Sequence, residues 1–114
     1  MWGRFTQTET KTAWITSLQP GDSVEFRTGN SRYTFWVEYA GLSMGVAYGG
    51  RLTSPVRVRL TPEGTSSSEV PSHPLAVGER AQLEVLGPDG RALRRFLTSP
   101  LAAIVVRPRA SAAA

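Results

Sequence analysis

At 114 residues and 12.4 kDa, with 40% hydrophobic and 19% charged residues, the chain is one domain's worth of sequence and too apolar for global disorder. The absence of cysteine excludes disulfides and thiolate metal sites, and no run approaches the roughly 18 apolar residues of a membrane-spanning helix. A formal charge of +4 attracts anions without amounting to a polybasic tail.

Met1–Lys11 is polar and lacks the apolar stretch of a signal peptide, so a cytoplasmic location away from membranes is expected. Period-two alternation begins at Asp22–Thr28, where Val24 and Phe26 interleave with Ser23, Glu25 and Arg27. It resumes at Arg32–Tyr39, with Tyr33, Phe35, Val37 and Tyr39 on one side and Arg32, Thr34, Trp36 and Glu38 on the other. Such patterns predict antiparallel strands with one wet face. Thr28-Gly29-Asn30-Ser31 joins the two runs. A four-residue loop there sets Phe26 opposite Tyr33, Val24 opposite Phe35, Glu25 opposite Thr34 and Ser23 opposite Trp36. A slip of one residue would mix the two faces.

Ala40–Gly50 is a stretch of about a dozen residues to which no strand is assigned, and Tyr48-Gly49-Gly50-Arg51 reads as a bend or bulge rather than a phosphate loop. In Pro55–Thr61, Val56, Val58 and Leu60 alternate with Arg57 and Arg59. Pro62–Pro74 is polar and rich in small residues, predicting a mobile loop over 62–74 that holds the single histidine, His73. Arg80–Leu86 and Arg91–Thr98 flank the strong turn signal Gly87-Pro88-Asp89-Gly90. A three-residue loop would pair Glu84 with Arg94 and Val85 with Leu93. It would also set Arg95 opposite Leu83 on the apolar side, a costly place for a charge unless the side chain snorkels or a bulge turns it out. Leu101–Val106 is an unbroken apolar run, expected to be a strand buried on both faces. Fraying is expected from Arg107 onward, with 108–114 a flexible tail.

Two stretches resemble one another. Leu18–Phe26 and Leu75–Leu83 both read Leu-x-x-Gly-acidic-x-apolar-x-apolar, and Thr53-Ser54-Pro55 is echoed by Thr98-Ser99-Pro100. Units of about 18–60 and 75–106 would then be related halves of one domain over 1–107. The predicted fold is all-β: a small antiparallel β-barrel or two-layer β-sandwich of about seven to nine short strands, with internal duplication set against coincidence. The expected core comprises Val24, Phe26, Tyr33, Phe35, Val37, Val56, Val58, Leu60, Leu83, Val85, Ile104 and Val105.

Nothing in the sequence supplies a catalytic constellation. His73 has no adjacent partner to orient it, and the carboxylates lack a metal-ligand spacing, so no metal or other cofactor is expected. What remains is surface. Of the 13 basic residues only Lys11 is lysine, and planar guanidinium forks suit phosphate or carboxylate, although codon bias in a GC-rich genome would also give this composition. Arg27, Arg32, Arg57 and Arg59 fall on wet faces, and Trp36 sits on the polar side of its strand. The indole is either covered by the segment with Trp2 and Trp14, packed in a homo-oligomer, or a stacking platform. The reading that follows is a non-enzymatic binding module for an anionic partner, nucleic acid first. Self-assembly through exposed aromatics is the alternative, with carbohydrate binding third.

Overall fold

Alternation of apolar and polar residues becomes strand wherever it was read, and the first hairpin shows how closely. The computed structural model describes residues 7–67 and 69–109. Strands β3 (Ser23–Arg27) and β4 (Arg32–Tyr39) pair with Phe26 opposite Tyr33, Val24 opposite Phe35, Glu25 opposite Thr34 and Ser23 opposite Trp36. The loop is closed by the Thr28 amide donating to the Ser31 carbonyl at 2.9 Å and by the Ser31 amide donating to the Thr28 hydroxyl at 3.0 Å. Phe26 and Tyr33 stack at 5.1 Å inside.

The other strands are β1 (Thr8–Thr10), β2 (Thr12–Ala13), β5 (Met44–Gly49), β6 (Leu52–Pro62), β7 (Leu75–Ala76), β8 (Ala81–Leu86), β9 (Ala92–Leu97) and β10 (Ala103–Arg107). Eight form one antiparallel sheet in the order β1-β10-β3-β4-β5-β6-β8-β9, while β2 and β7 make a two-stranded ribbon. Two three-residue 3-10 turns, Ile15–Ser17 and Ala40–Leu42, are the only helical elements among the described residues. The fold is therefore all-β.

The sheet curls on itself. Strand β6 pairs with β5 along its first part, from Leu52 to Arg59, and with β8 along its second, from Val58 to Pro62. Phe96 of β9 comes within 6.5 Å of Tyr33 of β4, although β9 stands four strands away and a flat sheet would separate them by about 19 Å. The curl is not a closed barrel, since β1 and β9 each pair on one side only. Ala13, Ile15 and Leu75, from the ribbon and the first 3-10 turn, join the core with Val24, Phe26, Phe35, Val58, Leu60, Leu83 and Ile104.

The expected core needs two amendments. Val56 is only half-buried, and Val105 is buried on the opposite face, between Glu9 and Glu25 of its neighbouring strands. Strand β5 was not anticipated. The second hairpin also differs in register: Leu86 faces Ala92 but Val85 faces Arg94, so Leu93 bulges out and is exposed. Beyond the bulge Glu84 faces Arg95 and Leu83 faces Phe96. That offset keeps the Arg95 charge out of the core and puts the Phe96 ring in its place.

The two similar stretches share a turn. Gly21 and Gly78 have φ of 94° and 92°, and each follows the same hydrogen bond, Asp22 amide to Gln19 carbonyl and Glu79 amide to Ala76 carbonyl. Pairing is reciprocal as well, since β6 lies against β8 and β10 against β3. The Thr-Ser-Pro echo does not correspond in the same way. Pro55 lies inside β6, whereas Pro100 precedes β10 by three residues and belongs to a crossing segment. In that segment the Thr98 amide donates to the Ala81 carbonyl and the Ala102 amide to the Arg27 carbonyl.

Candidate binding face on the outer sheet

Inward-pointing Val24, Phe35, Val37 and Ala47 force their neighbours outward, and the registers align those neighbours in rows across the strands. One row runs Arg107, Ser23, Trp36, Val46, Arg57 across β10, β3, β4, β5 and β6. Trp36 lies at its centre between two small or medium side chains and is 48% exposed. Tyr48 pairs with Thr34 in the next row, which makes it the diagonal neighbour of Trp36, and it is also exposed. Tyr39 at the end of β4 and Leu42 just beyond it extend the exposed apolar surface. Trp14 is elsewhere, lining a small hollow with Pro71 and His73, and Trp2 lies outside the described residues.

The arginines predicted for this site do not stand alike. Glu25, nearly buried, takes Arg32 at 3.3 Å, Arg27 at 3.7 Å and Arg107 at 3.1 Å. Arg57 pairs with Glu38 at 3.1 Å. Those four arginine side chains remain between 37% and 66% exposed, so their ion pairs are of the weak, solvent-screened kind. With four arginines sharing two carboxylates, the face stays net positive.

Arg59 is a correction. The alternation places it on a wet face, but it is 9% exposed, and its guanidinium is spent. It donates to the carbonyls of Leu42, Ser66 and Glu69 and lies 3.6 Å from Glu84. Glu84 is itself 1% exposed and also receives Arg95 at 3.3 Å and the Ser67 hydroxyl at 2.5 Å. Arg59 therefore holds the fold together rather than facing a ligand.

The same contacts hold Ser66, Ser67 and Glu69 of the segment expected to be a mobile loop. Thr65 is buried, its carbonyl accepts from the Gln82 amide at 2.6 Å, and its hydroxyl donates to the Pro62 carbonyl. The Ser66 amide donates to the Glu69 carboxylate at 2.8 Å, and bonds from Ser66 hold the Glu69 carboxyl below its ordinary range. A depressed folded pKa contributes stability above the unfolded value, which is lost as pH falls through the folded one. Acidification through the usual carboxylate range is thus expected to lower the hydrogen-exchange protection factor of the Ser66 amide, its rate taken relative to the intrinsic rate at each pH, while the sheet stays protected. An unchanged Ser66 protection factor would refute the role of that carboxylate.

The chain end is also docked where fraying was expected. Arg107 belongs to β10, and the Arg109 amide donates to the Asp22 carboxylate at 2.8 Å. The tail beyond Arg109 lies outside the described residues. Arg107, Val46 and Tyr48 are the members of the face that sequence reasoning missed. His73 is exposed, and its one hydrogen-bond partner among the described residues is the Ser72 hydroxyl at 3.4 Å. Among the described residues no three His, Asp or Glu side chains converge as metal ligands, and no helix is long and apolar enough to cross a membrane. Comparison with protein-family models, curated proteins and solved structures returned no match.

Proposed function

We propose that this chain is a non-enzymatic binding module whose outer sheet face takes single-stranded nucleic acid. Trp36 is the stacking platform in this reading, Tyr48 a second aromatic surface, and Arg57, Arg107, Arg27 and Arg32 the phosphate contacts. The observation that carries it is the exposed indole at the middle of a row that ends in an arginine on each side. Every base has a π-face, so stacking needs no particular sequence and is worth about 1–3 kcal/mol per base. The glutamates beside these arginines reduce the field, and phosphates would have to displace them from exposed pairs that cost little to break.

Titration of labelled single-stranded RNA and DNA at low and physiological salt tests the reading. Four phosphate contacts give a log–log salt slope of at most about −2.8, at roughly 0.7 per contact for single strands. Trp36→Ala is expected to weaken binding roughly 5- to 150-fold, the equivalent of one stacked base. Arg57→Ala should reduce the slope by about 0.7. Absence of binding at low salt, or indifference to both substitutions, removes this reading.

A second reading rests on the apolar share of the same face. Trp36, Val46, Tyr48, Tyr39 and Leu42 would pack against a second copy of the chain. Sedimentation separates the two, because an apolar self-interface strengthens or holds as salt rises while phosphate binding falls away.

A further inference from the structure

On the opposite side of the sheet from Trp36, an aromatic ladder leads out of the core. Phe26 stacks on Tyr33 at 5.1 Å, and Tyr33 meets Phe96 at 6.5 Å. The half-buried Phe96 ring carries two guanidinium groups, Arg51 at 5.3 Å and Arg94 at 5.7 Å from its centroid. Backbone constraints hold the first of these in place. The Gly49-Gly50 turn lies so close on Tyr33 that a Cβ at Gly50 would stand 2.2 Å from its ring, and the Arg51 amide donates to the Tyr33 hydroxyl at 3.3 Å. Arg94 is set by the Leu93 bulge, which rotates it to the same side of β9 as Phe96.

Neither guanidinium has a carboxylate within 4 Å or a hydrogen bond to its side chain among the described residues. In this they differ from Arg27, Arg32, Arg57, Arg59, Arg95 and Arg107, each of which has a glutamate. Two like charges gathered on one ring repel each other, and an exposed cation–π contact returns only about 0.5–1 kcal/mol apiece. Their ten N–H donors, five per guanidinium, have no protein acceptor among the described residues. Beside the ring, on the Arg51 side, lies an open hollow of about 550 Å³ lined by Arg51, Arg95, Phe96, Gln82 and Glu63, while Arg94 stands outside its lining.

We propose that Arg51 and Arg94 form a phosphoryl-binding site beside Phe96, with the rest of a small phosphorylated molecule extending past Arg51 into this hollow. Two rigid forks of double positive charge match a phosphate dianion, which neutralises their mutual repulsion and accepts from both. Phe96 keeps the forks ordered before the ligand arrives, which lowers the entropy cost of binding. Glu63 on the rim repels a ligand with negative charge on that side, so the phosphoryl group is directed to the Arg51–Arg94 side. The site does not depend on the outer face, and it survives failure of the nucleic-acid reading.

Calorimetric titration with inorganic phosphate, adenosine monophosphate and adenosine is the test, on the full chain. Phosphate and the monophosphate are expected to bind and adenosine not to. Tighter binding of the monophosphate than of phosphate would show that the hollow holds the rest of the molecule, and equal binding would confine the site to the phosphoryl group. Both arginines are exposed, so Arg51→Ala/Arg94→Ala should fold normally, checked by its thermal midpoint. It is expected to lose affinity by more than about tenfold, Arg51→Lys/Arg94→Lys to recover part of it, and Arg91→Ala, at an exposed arginine of the neighbouring turn, to leave it unchanged. No binding of phosphate or monophosphate at millimolar concentration, or equal affinity in the parent and the double alanine variant, would overturn the proposal. An equal loss in Arg91→Ala would overturn it too, by showing that the anion answers to net charge rather than to this pair.

Discussion

Glu84→Ala is expected to lower stability by about 3–5 kcal/mol, the usual loss when one partner of a buried ion pair is removed. For a domain of this size that corresponds to a fall of roughly 10–20 °C in Tm. Glu84 is 1% exposed and receives Arg59, Arg95 and Ser67, so its removal strands the Arg59 charge at 9% exposure with only carbonyls around it. It also unfastens Ser67 from β8. Glu84→Gln keeps the shape and one acceptor, and should lose less. The informative variant is the double substitution Arg59→Met/Glu84→Leu. Desolvating the pair costs nearly what their attraction returns, so the double variant should be more stable than either single one. A cost below about 1 kcal/mol for Glu84→Ala in chemical denaturation would show that water screens the cluster as it does an exposed pair.

Arg59 illustrates where sequence reasoning stops. In Val56-Arg57-Val58-Arg59-Leu60 the two arginines are equivalent by period, and nothing local separates the one that stays wet from the one that is buried. The difference is tertiary: β6 leaves β5 and joins β8 near Arg59, which brings Glu84 beside it and folds Ser66 and Glu69 over it. Strand β5 was illegible for another reason. Its inward positions are Gly45 and Ala47, while Val46 and Tyr48 point outward, so its size pattern is inverted relative to an ordinary half-buried strand. Small residues are needed there because Phe35 already fills the space beneath them. The β3–β4 hairpin was legible to the residue, because strong alternation and a four-residue turn agree on one register. Trp36, Arg27 and Arg32 followed from that register, and Arg57 from the separate alternation of Pro55–Thr61. Arg107, 71 positions from Trp36 along the chain, was not legible, since only the placement of β10 beside β3 brings it into the row.

Gly45→Ala puts that inverted pattern to the test, with an expected loss of about 3 kcal/mol or more. Gly45 sits between Val37 and Val58 in the ladder, and a Cβ there would stand 1.9 Å from the Trp36 carbonyl oxygen and 3.0 Å from the Phe35 ring. A side chain can rotate away from such a clash, but a backbone carbonyl held in a sheet cannot. Strand β5 must therefore move off β4, weakening ladder bonds on both sides of Trp36. Since total stability for such a chain is of order 6–17 kcal/mol, this one methyl group removes a large fraction of it. Gly41→Ala is the matched control. Nothing lies within 4 Å of its added Cβ, and the substitution reduces the freedom of the unfolded chain, so it should be neutral or stabilising by up to about 1 kcal/mol. Thermal melts of the two variants decide the matter, and equal midpoints would mean that β4 and β5 approach less closely than described. The pair also bears on function. Gly45 places the carbonyl beneath the indole while touching no ligand, so under the nucleic-acid reading the folded fraction of Gly45→Ala should bind more weakly than Gly41→Ala with its salt slope intact, because the arginines remain and only the stacking platform has shifted.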